Sequence, residues 1–151
     1  NIKALKSDST FSLNERINIK PFLVPHRDEF SESVGYEIMI NNKSLIFIPD
    51  IDKWEKWETN ITELIKQVDY AFLDATFYKN GELKRDMSEI PHPFVEESME
   101  LFSTLSDADK QKVHFIHLNH TNPLLINGSS AQKEVITKRF NLAKEGQILS
   151  F

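Results

Sequence analysis

Tyr70-Ala71-Phe72-Leu73-Asp74-Ala75-Thr76 is the stretch on which the reading of this chain turns. A short run of apolar residues without polar alternation suits a strand in a sheet covered on both faces. Asp74 then falls at the carboxyl end of that strand, the edge where ligands collect in an α/β sheet. Upstream, Trp54, Trp57, Ile61, Leu64, Ile65 and Val68 share one apolar helical stripe. Asp52 is the expected N-cap of that helix, with Glu55 completing a capping box. The two tryptophans read as core members of the stripe rather than as a stacking platform for a base or sugar.

Further upstream, Arg16 to Val24 reads as a strand ending at Pro25-His26. Gly35 to Ile40 and Ser44 to Ile48 read as a hairpin joined at Asn41-Asn42-Lys43. Downstream, Pro93 is expected to open a second helix with Val95, Met99, Phe102 and Leu105 inward. Val113 to Leu118 reads as another buried strand, Ser130 to Phe140 as a third helix and Gln147 to Phe151 as a final strand. The order β-β-β-α-β-α-β-α-β defines an α/β sheet with helices packed on it.

The chain has 151 residues, a size for one core rather than two. Its 18 Lys plus Arg against 23 Asp plus Glu leave a net charge of −5, which argues against nucleic-acid binding through bulk charge. With no cysteine, disulfides, thiolate zinc sites and cysteine nucleophiles are excluded. No apolar run reaches the roughly 18 to 20 residues that span a bilayer, and no leader pattern opens the chain. A cytoplasmic protein without membrane attachment is expected. Eleven Phe against 4 Gly argue for a packed fold.

The unusual polar residues cluster at expected strand ends. His26 follows the first strand, Asp50 the third, Asp74 the fourth, and His117 and His120 the fifth; His92 sits in a loop between Pro91 and Pro93. A single strand-end Asp is usually a cap or turn residue, and a single loop His is usually just hydrogen-bonded. Several on one sheet edge form a candidate site for zinc, or for iron or manganese, because imidazole and carboxylate are their ligands when sulfur is absent. His114, His117 and His120 are spaced by three, and in a strand odd separations point to opposite faces, so one metal cannot take all three. His114 reads as structural, His117 as the better ligand and His120 as pocket-lining.

The segments Val24-Pro25-His26-Arg27-Asp28-Glu29, Ile48-Pro49-Asp50-Ile51-Asp52-Lys53-Trp54 and His117-Leu118-Asn119-His120-Thr121-Asn122-Pro123 occur in the order that resembles metallo-β-lactamase-fold hydrolases. The branch resembled is that of pyrroloquinoline-quinone biosynthesis protein B, from about Thr10 onward. The resemblance implies that His26, Asp50 and His117 are metal ligands, with Asp50 bridging if two ions bind. Leu73-Asp74-Ala75-Thr76 also resembles the His-Glu-Ala-Thr stretch of ribonuclease Z type phosphodiesterases, which implies that Asp74 and His92 manage a leaving-group proton. Arg27, Asp28 and Glu29 would then orient ligands from behind, with His120 facing a small-molecule substrate.

One departure is large. The family's His-x-His-x-Asp-His motif is absent, since no His-x-His occurs anywhere, and only 25 residues precede His26. The chain also opens on Asn1 rather than Met. Residues 1–151 are therefore expected to be the second β/α half of the family's αββα sandwich, its partner half lying in the same polypeptide or in another chain. The expected function is metal-dependent hydrolysis of an ester, amide or phosphodiester in the full-length protein, with one or two zinc ions and little activity from this piece alone. A non-catalytic ligand-binding or assembly subunit, linked to redox-cofactor biosynthesis, is the alternative. An uncovered sheet face predicts aggregation or a homodimer.

Overall fold

A computed structural model describes residues 4–149. One seven-stranded sheet runs in sequence order: β1 (Phe11–Asn14), β2 (Ile17–Leu23), β3 (Val34–Ile40), β4 (Lys43–Ile48), β5 (Tyr70–Asp74), β6 (Val113–Ile116) and β7 (Asn141–Leu142). Strands β1 to β4 form an antiparallel meander, and β4 to β7 pair in parallel. The parallel links carry the helices α1 (Ile61–Gln67), α2 (Val95–Leu101), α3 (Asp107–Lys110) and α4 (Ser130–Thr137). This is a mixed α/β fold, as the alternation of elements implies.

Register explains which side the helices take. Ile46, Ala71 and Val113 lie side by side across the sheet, as do Ile48, Leu73 and Phe115. All six are buried in one cluster with Ile61 and Ile65 of α1, Val95 and Met99 of α2, and Ala131 and Val135 of α4. Period-2 alternation sends the neighbours of these residues to the other face. There Phe47, Phe72 and His114 align, Tyr36 beside Phe47, and Ile19, Ile38, Leu45 and Tyr70 form a second row. None of these joins the helix-covered cluster. In the meander the helix-side positions include Asn18, Lys20, Glu37 and Ser44, so there the apolar side is the one facing away from the helices.

Several expected boundaries move. The continuous helix from Trp54 to Val68 does not form: a 3-10 turn spans Trp54–Lys56, Trp57 is extended, and α1 begins only at Ile61. Its N-cap is Asn60, whose side chain accepts from the Thr62 and Glu63 amides, so the Asp52–Glu55 capping box is not made. Asp52 accepts instead from its neighbour's Lys53 N–H and from Lys56 Nζ. Trp54 is still a core residue, whereas Trp57 is half-buried and stacks on Phe22 with ring centroids 5.6 Å apart. Pro93 precedes the N-cap of α2, Phe94, instead of opening the helix.

Strands β1 and the short α3 lie where no regular element was expected, and β6 stops at Ile116, two residues early. The closing strand is Asn141–Leu142, not Gln147 to Phe151. Residues 147–149 are irregular, and 150–151 lie outside the described residues. No described helix is long and apolar enough to cross a membrane.

Gly35 is set by close approach. A Cβ there would sit 2.4 Å from Phe22 Cε2 and 3.2 Å from Ile48 Cγ1, so any side chain displaces the ring that stacks on Trp57. Gly35→Ala is expected to lower unfolding free energy by about 1–3 kcal/mol through overpacking, read from the midpoint of chemical denaturation.

Candidate metal centre

The site forms where strands β2, β4, β5 and β6 end on the same sheet edge. Each loop leaving that edge is tied to its neighbour through the backbone. The Asp52 amide donates to Pro25 O at 2.7 Å, drawing the loop after β4 to the one after β2. Ala75 N donates to Ile116 O at 2.9 Å and Asn119 N to Thr76 O at 3.0 Å, extending the β5–β6 pairing past the strands. Phe77 bridges to Phe94, with Val95 N donating to Phe77 O at 3.0 Å, which carries His92 back over β5.

At the centre is Asp74, which is fully buried. Its Oδ1 accepts from the Thr76 amide at 2.8 Å and the Thr76 hydroxyl at 2.7 Å. Its Oδ2 accepts from the Ile51 amide at 3.2 Å and faces His92 Nδ1 at 2.7 Å. Burial pushes the carboxyl pKa up, but the hydrogen bonds from the histidine side and from Thr76 overcome it, and the net direction is down. Asp74 is therefore an anion, and an anion only accepts.

That fixes both imidazoles. His92 must donate Nδ1–H to Asp74, which leaves the lone pair of the neutral ring on Nε2. Thr76 gives its single hydroxyl proton to Asp74 Oδ1, so at 2.9 Å it can only accept from His117 Nδ1–H. His117 Nδ1 is 3.8 Å from Asp74 Oδ1, too far for a direct hydrogen bond, so the threonine carries the interaction. The Asp74 carboxylate raises the His117 pKa, against burial. His117 itself has φ 62°, left-handed backbone immediately past β6, with its ring held at Thr76.

Asp50 faces these groups. Its Oδ1 lies 3.0 Å from His26 Nε2 and 3.5 Å from His92 Nδ1. Neither approach has hydrogen-bond geometry: among the described residues Asp50 Oδ1 is a buried acceptor without a donor, and His26 Nδ1 is buried without a partner. Ligand atoms of Asp50, Asp74, His92 and His117 all lie within 4.8 Å of one another. The rings of His26 and His92 are 5.2 Å apart, and those of His92 and His117 6.1 Å. A carboxylate oxygen left without a proton donor among imidazole nitrogens fits a divalent cation with nitrogen and oxygen ligands. Asp74 spends its acceptor capacity on four donors and is better suited to hold the histidines than to coordinate.

Of the residues singled out in the sequence, Asp50, Asp74, His92 and His117 converge in one group, and His26 adjoins it through Asp50 Oδ1 and the His92 ring. His120 is exposed and outside the cluster. Arg27, Asp28 and Glu29 are exposed too; Asp28 Oδ1 accepts from the Ser33 amide at 3.3 Å, within its own loop, and none of the three touches the cluster among the described residues. His114 stays on the opposite sheet face, buried and stacked on Phe72 at 5.0 Å, the structural role its strand position implies.

Two contributors went unrecognised. Thr76 was visible only as part of the Asp-Ala-Thr stretch. Asn122 is buried, and its amide donates to Ala75 O at 2.8 Å and Thr76 O at 3.2 Å while its Oδ1 accepts from Leu124 N. Asn122-Pro123 signals a turn in sequence, but nothing local tells that it braces another loop. A groove of about 990 Å³, lined by His114, Leu118, Leu124 and Phe140 among others, lies along β6 and β7 and includes none of the converging residues. The donor chemistry, not the size of the groove, marks the site.

Residues 1–118 match the beta-lactamase superfamily domain family, and the chain belongs to that family. The sheet and its helices are those of a metallo-β-lactamase fold. Within it, the chain is 24% identical over 121 residues to coenzyme PQQ synthesis protein B of Gluconobacter oxydans, covering 76% of this chain and 39% of that protein. It is 24% identical over 151 residues to the same-named protein of Methylococcus capsulatus, covering 91% and 47%. Zn(2+)-bound PqqB from Methylobacterium extorquens superposes with a TM-score of 0.78 at 20% identity, over 99% of this chain and 52% of that one. The metallo-beta-lactamase fold protein YhfI from Bacillus subtilis gives 0.60 at 15%, over 94% and 52%. The chain thus spans about half the length of the relatives it matches.

Burial pushes the His114 pKa below its ordinary 6.5. The neutral ring therefore stabilises the fold fully above about pH 6.5, and that contribution fades as pH falls toward the lower folded-state value. Between about pH 8 and pH 5, His114→Phe should lose less stability than the wild type, measured as the shift in denaturation midpoint.

Proposed function

We propose that these residues are the second half of a metallo-β-lactamase-fold hydrolase acting on an ester, amide or phosphodiester of a small molecule. The observation that carries the reading is the buried, donorless Asp50 Oδ1 facing histidines whose tautomers the ionised Asp74 sets. His26, Asp50 and His117 would hold the ion, zinc by preference, with iron or manganese suited to the same donors. Such an ion supplies Lewis acidity that polarises the scissile group and lowers the pKa of water.

The remaining work falls to the chain. Asp74 accepts from His92 Nδ1–H and so turns Nε2 away from itself, where the imidazolium form of His92 would give its Nε2 proton to a leaving group and return to the neutral Nδ1–H tautomer. By accepting from His117 Nδ1–H, Thr76 leaves the Nε2 lone pair of His117 free, so His117 would hold the ion through Nε2. His120, exposed three residues beyond His117, would line the substrate entrance.

A second reading has its own support. Relatives named for coenzyme PQQ synthesis favour a ligand-binding or assembly role in redox-cofactor biosynthesis, in which the same ion would be structural. Turnover separates the two readings; metal binding is common to both.

The half-fold reading rests on the sheet face opposite the helices. Tyr36, Ile38, Phe47, Tyr70 and Phe72 give it the apolar character of a surface that packs against a second layer. A half-layer from the same polypeptide or a partner chain would cover it.

In the full-length protein, Asp50→Ala is expected to lower zinc affinity about tenfold or more, measured by competition with a chelating dye. Unchanged affinity would sink the metal reading. Residues 1–151 alone are expected to self-associate through the open face, and a monomer by light scattering at high concentration would count against the half-fold.

A further inference from the structure

We infer that Lys53 is a positioning residue for the candidate metal centre, clamping the loop that carries Asp50 to the segment that carries His92. The inference rests on the metal reading above and adds the device that sets the spacing of its two halves. Lys53 lies three residues after Asp50, and its Nζ meets Glu97 Oε2 at 2.6 Å. The same ammonium sits 3.8 Å from the centroid of the Phe94 ring. Glu97 Oε2 in turn accepts from the Phe94 amide at 2.9 Å, so cation, carboxylate and ring form one closed unit two to five residues beyond His92.

The pairing is more than a surface ion pair. The Lys53 side chain is only 13% exposed, whereas Glu97 is 48% exposed. One residue further, Trp54 Nε1 donates to the buried Ser98 Oγ at 2.8 Å, a second tie between the same two segments. The Ile51 amide, between Asp50 and Lys53, donates to Asp74 Oδ2, the oxygen that also holds His92. Asp50 is therefore held from its C-terminal side by three contacts that end on the His92 segment or its anchor, alongside the Asp52 amide that ties the loop to Pro25 O. The gap they define is the 3.5 Å between Asp50 Oδ1 and His92 Nδ1. Because Glu97 keeps about half of its side chain in solvent, the pair adds little to global stability, and the clamp's effect should appear in the geometry it maintains.

The experiment uses the full-length protein and cobalt(II) as the probe, followed by its d–d absorption. Lys53→Met keeps an unbranched apolar side chain and removes the ammonium that lies over Phe94. It is expected to lower cobalt affinity about tenfold, with the unfolding midpoint of the metal-free protein nearly unchanged. Glu97→Gln should act in the same direction, the double variant should be no weaker than either single, and Lys53→Arg should recover most of the affinity. Unchanged affinity in both single variants, additive losses in the double, or a loss matched by collapse of the metal-free unfolding midpoint would overturn the clamp. Hydrogen exchange at the Ile51 amide in the metal-free protein decides independently of the ion: faster exchange in Lys53→Met supports the clamp, and unchanged exchange overturns it. A wild-type protein that binds no cobalt would sink the metal reading while leaving that exchange result to decide the clamp.

Discussion

The buried carboxylate of Asp74 is the constraint around which the site end of the molecule is organised. An anion without solvent is tolerated only when donors surround it. Here the donors come from separate parts of the chain: Thr76 from its own turn, the Ile51 amide from the loop after β4, and His92 from the segment before α2. Through the Thr76 hydroxyl the same charge reaches His117 beyond β6. Satisfying one charge thus assembles the strand-end loops and orients two imidazoles.

The sheet supplies the rigid base for that arrangement and divides the labour between its faces. One face is sealed by α1, α2 and α4 over Ile46, Ile48, Ala71, Leu73, Val113 and Phe115. The other repeats apolar residues across adjacent strands and meets none of the helices' buried cluster. Strands β4 and β5, apolar on both sides, have the character of strands in a sheet with layers on both sides. Ligand loops at one edge of such a sheet can vary while the base stays fixed.

Where local pattern and tertiary demand disagreed, the disagreement has a physical cause. Trp54 and Trp57 fit one helical stripe on paper. In the fold, the Trp54 indole must reach Ser98 while Trp57 must stack on Phe22 and donate to Leu23 O, and no single helix face serves both. Asn60 then starts α1 afresh, because its side chain caps Thr62 and Glu63. The closing strand differs for a related reason: Gln147 to Phe151 carries the apolar Ile148, Leu149 and Phe151, but only Asn141–Leu142 lies beside β6, directly after α4 and the buried Phe140. His114 was legible because strand parity alone separates it from His117.

The α/β alternation from β2 to β6, the strand-end placement of His26, Asp50, Asp74 and His117, and the exclusion of thiolate chemistry follow from the sequence by itself, whereas β1, α3 and the place of the closing strand do not. Periodicity and residue type are local properties, readable one segment at a time. What only the tertiary structure decided is which groups meet in the cluster. Four donors reach Asp74; Thr76 and Asn122 matter because loops distant in sequence close over them; Lys53 meets Glu97 across 44 residues. Those facts depend on which hydrogen bonds remain once distant segments are brought together, and no local pattern encodes that.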